Sequence, residues 1–255
     1  IISNVIKPEL ECVDNLLKFK TPLTFIEAVR ANTQRVYTFQ SQGTSVNTLL
    51  LEIWENGLSD KKIVFLNKWV KEFGIGDAIE INNIKNVANE VLLVRGEQKI
   101  DIADVGYGFT QLLPMMLKCV HVAHFKDANW CLANGYKTDE INPTNSRLII
   151  IEEPETNLHP ALQSKIADFI VDFSKHFDAT VIIETHSEYL IRRLQFLTAK
   201  NGIKPEDTII HYLFDPNSEH TKNTGEQLRT IRIKKDGRLD KEFGTGFFDE
   251  STKLI

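Results

Sequence analysis

Apolar and polar positions change their spacing repeatedly along this chain, and the changes divide it into short strands and helices. Leu23-Thr-Phe-Ile-Glu-Ala-Val29 alternates in the manner of a strand, and a polar loop follows around Gly43. Helices are predicted over 46–55 and 61–73; in the second, Ile63, Val64, Leu66, Trp69, Val70 and Phe73 recur near the helical period and stop at Gly74. Short β-like runs at 78–84, 91–94 and 100–102, with a turn at Gly96, predict a small antiparallel meander. Helical patterns at 110–124 and 160–173 flank an apolar strand at 148–151. A strand at 180–183, a helix at 187–198 and strands at 208–214 and 227–234 complete the series. Strands alternating with helices imply an α/β fold: a mainly parallel sheet with helices on both faces, plus the small antiparallel β region. Residues 127–146 form a polar insertion, the expected place for a partner contact.

The strand at 148–151 carries the most informative chemistry. Leu148-Ile-Ile-Ile-Glu-Glu-Pro-Glu-Thr-Asn-Leu-His-Pro160 passes abruptly from apolar residues to two carboxylates, and Glu184-Thr-His-Ser187 ends the next strand. A buried parallel strand opens at its C-terminal end into the crevice where α/β proteins bind ligands. Glu152 and Glu153 therefore emerge at that edge, where Mg²⁺ with nucleotide phosphates supplies the charge and oxygen ligands that offset two adjacent acids. Upstream, Asp104-Val-Gly-Tyr-Gly-Phe-Thr-Gln-Leu-Leu-Pro114 places Gly106 and Gly108 before a helix expected to start near Phe109 or Thr110. That helix end would offer N–H groups to an anion, with Pro114 in its first turn. No G-x-x-x-x-G-K-[ST] phosphate loop occurs in the sequence.

Composition narrows the alternatives. The 255 residues carry 30 basic and 35 acidic side chains, a net charge of −5, which gives no global attraction for nucleic acid. Arg229, Arg232, Lys234, Lys235 and Arg238 make a local basic segment, read as a solvated hairpin with DNA as the alternative. No apolar run approaches the ~20 residues of a membrane span and no targeting pattern opens the chain, so a cytoplasmic protein is expected. Cys12, Cys119 and Cys131 match no metal spacing and are expected as reduced thiols. His121 and His124 are expected as ordinary helix residues, and Trp54, Trp69 and Trp130 as core. A first residue other than Met suggests that Ile1 lies within a longer polypeptide.

The order of glycine segment, acidic strand, Asn157-Leu-His-Pro160 turn and Thr185-His-Ser187 strand end resembles the C-terminal lobe of ABC-type ATPases of the SMC, RecF and OLD kind. It is similar above all to prokaryotic stand-alone AAA-type ATPases, several of which serve antiphage defence systems such as Septu and retrons. The resemblance runs from about Leu23 to the C-terminus.

The resemblance implies hydrolysis of ATP to ADP and phosphate by a head-to-tail homodimer or higher oligomer, with ATP and Mg²⁺ as cofactors; ATP over GTP is itself a family expectation. Glu152 would occupy the Walker B position that holds Mg²⁺, although the commonest pattern has Asp there, and Glu153 the catalytic position that polarises water. Asn157, Leu158 and His159 would form the D-loop, and His186 the switch histidine facing the γ-phosphate. Gly106, Gly108, Thr110 and Gln111 loosely resemble the signature that caps the nucleotide of the opposite subunit. Residues 1–58 would connect to a missing N-terminal lobe bearing Walker A, and 59–255 would form the C-terminal lobe. A nuclease or toxin effector is the implied partner; DNA is a further one, and no membrane. The acids after His186 lack the D-x-D of a Toprim nuclease, so any nuclease would act in trans. The alternative is a nucleotide-independent scaffold or sensor lobe that recruits partner proteins.

Overall fold

The structure, a computed structural model, describes residues 23–28, 35–38, 45–85, 87–125, 147–244 and 247–248. The polar insertion, Cys12, Cys131 and Trp130 lie outside these residues. The chain divides into two compact units, one comprising residues up to His159 together with Asp172–Thr185, the other Pro160–Val171 together with residues from His186 onward.

The first unit contains β1 (Leu23–Ile26), β2 (Tyr37–Thr38), α1 (Ser45–Asn56), α2 (Asp60–Glu72), β3 (Ala78–Ile84), β4 (Ala88–Arg95), β5 (Gln98–Asp101), α3 (Tyr107–Val122), β6 (His124–Phe125) and β7 (Arg147–Glu152). Helix α4 (Pro160–His176) crosses from the second unit back into the first, where β8 (Phe177–Glu184) continues it. One sheet has the order β1-β7-β8-β6, with β7 parallel to both β1 and β8 and only the two-residue β6 antiparallel. The expected meander forms a second sheet in which β4 pairs antiparallel with β2, β3 and β5.

Register explains how β7 is held. Ile149 and Ile151 pair with Thr24 and Ile26 on one side, and with Val181 and Ile183 on the other. Both isoleucines are fully buried, each worth roughly 1.5–3 kcal/mol of burial. The opposite sheet face is more open, since Leu23, Phe25 and Ile182 are 56%, 43% and 46% exposed. The start of β8 is anchored by aromatic rings: Phe177 stacks on Phe125 and Phe173 at 4.5 and 4.8 Å and meets Phe65 edge-on at 5.1 Å. Trp69, on α2, is buried as expected and its indole donates to Asp172 at 2.9 Å, whereas Trp54, expected in the core, is 44% exposed on α1.

Helix α3 departs from its predicted limits at both ends. It begins at Tyr107 with Gly106 as its N-cap, so Pro114 sits in the interior rather than the first turn. There the proline removes one helical N–H donor, while the surrounding Leu112, Leu113, Met115, Met116 and Leu117 are almost wholly buried. The helix stops at Val122 because Ala123 turns extended (ψ 152°) and His124 pairs with Asp178 as β6. Cys119, on this helix, is fully buried.

In the second unit, α5 (Glu188–Ala199) starts at Ser187, whose hydroxyl accepts from Leu190 N at 3.2 Å and donates to Gln163 at 2.6 Å. Arg193 of α5 grips both oxygens of Asp168 at 3.0 Å. Strands β9 (Ile209–Leu213) and β10 (Leu228–Arg232), joined through α6 (Glu219–Thr224), pair antiparallel. A cluster of Tyr212, Phe214 and Phe243 packs on this pair, with Gly244 in van der Waals reach of both Tyr212 and Phe214.

Candidate functional site

Strand β7 delivers its acids to one edge. Glu152 is its last residue, half-buried and opposite Glu184 at the end of β8. Its Oε2 lies 3.4 Å from the backbone N–H of Ala28, just beyond β1. Glu153 follows immediately, and its N–H donates to the carbonyl of Glu184 at 2.9 Å. Glu152, Glu153 and Glu184 thus lie next to one another along the backbone where the parallel strands end.

Glu153 has φ +39°, the left-handed region that a residue with a Cβ rarely enters. Such a conformation costs on the order of 1–3 kcal/mol and persists where the surroundings over-determine it. Here the surroundings are a tight turn. Thr156 N–H donates to Glu153 O at 3.1 Å, Leu158 N–H donates to Glu155 O at 3.0 Å, and the Thr156 hydroxyl donates to Glu153 Oε2 at 2.8 Å. Asn157 closes the turn with φ +63°, a conformation asparagine tolerates. Leu158 is buried and anchors the segment, leaving Asn157 and His159 exposed on either side of it.

The glycine segment meets this turn directly. A Cβ on Gly108 would lie 2.8 Å from the carbonyl oxygen of Asn157 and 2.9 Å from Leu158 Cδ2, so only glycine lets the first turn of α3 seat there. Gly106, at the helix end, is exposed, whereas Thr110 and Gln111 are 3% and 1% exposed and point into the interior. Just before the helix, Arg35 holds Asp104 through two parallel hydrogen bonds of 2.6 and 2.7 Å. His186 is exposed, belongs to the second compact unit, and immediately precedes the Ser187 cap of α5. Among the described residues no three His, Cys, Asp or Glu side chains gather as a metal cage. A Mg²⁺ that arrives with nucleotide phosphates needs only one or two protein carboxylates, and Glu152 is of the required hard-oxygen type.

The other end of β7 has the opposite character. Arg147, its first residue, lies near His121 at the end of α3 and Lys62 of α2, whose Nζ donates to His121 O at 2.8 Å. Burial first, then Lys62 and Arg147, lower the His121 pKa to about 4, so the ring is neutral at pH 7 despite a Glu52 carboxylate at 3.6 Å. His124 is lowered by burial, Lys62 and Arg147, against which Asp178 acts. Among the described residues, His121 Nδ1 and Arg147 Nε are buried without a hydrogen-bond partner.

The sequence singles out both acids, the turn and both glycines but gives no sign of the Thr156 to Glu153 hydrogen bond, which depends on side-chain rotamers. The Glu-Pro-Glu-Thr spacing permits that bond without requiring it, since a hydroxyl three residues after a turn-opening acid can reach back to it.

Residues 13–191, more than half of the chain, match the model of a family described as an AAA ATPase domain, and residues 203–255 match a family described as a protein of unknown function, DUF3696. The endonuclease GajA of Bacillus cereus (strain HuB5-5) is 22% identical over 218 residues, covering 74% of this chain and 30% of GajA's own length. A crystal structure of an SMC head bound to the C-terminal winged-helix domain of ScpA superimposes with a TM-score of 0.43 at 11% identity, over 66% of this chain and 49% of that one. The family match covers β7, its acidic edge and the glycine segment alike, and on it the chain belongs to the AAA ATPase domain family.

Proposed function

We propose that this chain is the part of an ATPase that carries the water-activating carboxylate, and that the acidic end of β7 is its working edge. The observation that carries the reading is Glu153, held in a strained backbone conformation beside Glu152 in an AAA ATPase domain. In this reading Glu152 holds Mg²⁺, which supplies positive charge against the nucleotide phosphates. Glu153 orients the attacking water and accepts its proton. The exposed end of α3 at Gly106 faces the nucleotide of a second subunit, with the buried Thr110 and Gln111 supporting that helix from within. Two copies close head to tail on two ATP molecules.

The likeness to an enzyme named as an endonuclease supports a DNA-directed role, in which ATP turnover controls a nuclease effector in antiphage defence. The chain spans 30% of that relative, so the coupling rests on this partial likeness. The test is phosphate release by the full native polypeptide with ATP, with and without Mg²⁺. Mg²⁺-dependent turnover that is lost in Glu152→Ala supports the reading. Turnover unchanged by that substitution would overturn it.

A further inference from the structure

The geometry points to Thr156 as a positioning residue for the Glu153 carboxylate, a proposal that rests on the ATPase reading and deepens it. Glutamate has three side-chain torsions, and a carboxylate free to sample them spends little time aimed at one water molecule. The Thr156 hydroxyl removes that freedom by donating to one oxygen, Oε2, at 2.8 Å. That bond fixes the orientation of the carboxylate relative to the turn.

Three further contacts make the hydroxyl a fixed reference rather than a mobile partner. The Thr156 N–H donates to the carbonyl of Glu153 at 3.1 Å, closing the turn on the same residue whose side chain it orients. The Glu153 N–H is tied to Glu184 O at 2.9 Å, which locks the acid to the end of β8. Next in the chain, Asn157 rests its carbonyl against Gly108, so the turn cannot recede toward α3 without a clash. Thr156 therefore connects a rigid helix end to the reactive carboxylate, while its own hydroxyl need not touch substrate. The strained φ of Glu153 is the backbone counterpart of this restraint, since both fix the acid in one orientation.

The experiment uses the full native polypeptide and compares Thr156→Val, Thr156→Ser and Glu153→Gln for Mg·ATP turnover, KM and thermal midpoint. Valine keeps the shape and removes the donor; serine keeps the donor. Loss of a hydrogen bond to a charged group predicts a fall in kcat of about ten- to a hundredfold for Thr156→Val. KM should move less than about twofold and Thr156→Ser should stay within about threefold of wild type, because binding does not use this bond. A Thr156→Val kcat equal to wild type, or an equal loss in Thr156→Ser, overturns the proposal while leaving the ATPase reading intact. A silent wild type, or a Glu153→Gln variant as active as wild type, overturns both.

Discussion

The two ends of β7 are built on opposite principles. At its C-terminal end, two acids follow one another onto a strained turn in which the Thr156 hydroxyl holds one carboxylate. At its N-terminal end, basic groups crowd together, and burial answers the crowding by keeping His121 neutral. The basic end shows its electrostatic cost in the lowered His121 pKa, whereas the acidic end holds one side chain through a hydrogen bond from its own turn. A charged strand end can direct chemistry only where its groups are held in a fixed geometry.

Opposite substitutions on the same strand give the sharpest break in this comparison. Glu152→Ala should lower Mg·ATP turnover by at least about a hundredfold, and Arg147→Met should change it less than about twofold, both read as steady-state phosphate release. Comparable losses from both would mean that the strand ends are not functionally distinct.

Acid should act next, and at the basic end. Because the folded pKa of His121 lies near 4, below its ordinary 6.5, the unfolded chain binds the proton more readily. The stabilisation is thus complete above about pH 6.5 and is lost as pH falls toward 4, by on the order of 3 kcal/mol. Denaturant titrations between pH 7 and 4 should show this decline, and His121→Leu should flatten part of it. A pH profile unchanged by that substitution contradicts the assignment.

A smaller effect is expected where the glycine segment meets the acidic turn. Gly108→Ala forces a Cβ to within 2.8 Å of a backbone oxygen and should cost about 1–3 kcal/mol in thermal or chemical unfolding. Turnover should fall with it, because the displaced turn carries Thr156. The smallest effect belongs to the exposed Arg35–Asp104 pair, with side chains 67% and 44% exposed. Arg35→Ala should destabilise by no more than about 1 kcal/mol, despite ideal paired geometry.

Much of this was legible in the residues themselves. The β7 strand, the meander and the helices announce themselves because burial imposes a period on apolar positions, and the acids stand out against the isoleucines before them. What remained hidden depends on contacts distant in sequence or on single torsions. The end of α3 is set by the pairing of His124 with Asp178 rather than by any break in its apolar pattern. Pro114 reads as a first-turn residue until Gly106 is seen to cap the helix earlier. Gly108 reads as a residue for approaching an anion, whereas the neighbour it admits is the carbonyl of Asn157. The lowered pKa of His121 follows first from its burial and then from Lys62 and Arg147, 59 residues before and 26 after it in the chain, which no local pattern reveals.

The most direct test of the central claim is the chemical state of nucleotide held by Glu153→Gln in the full native polypeptide, supplied with Mg²⁺ and γ-labelled ATP and quenched at intervals. The account predicts that the variant binds nucleotide as the wild type does, and that what it holds is recovered as intact ATP long after the wild type has converted its own to ADP. Recovery of ADP and free phosphate at the wild-type rate would contradict it, and would place the water-activating group somewhere other than the acidic end of β7.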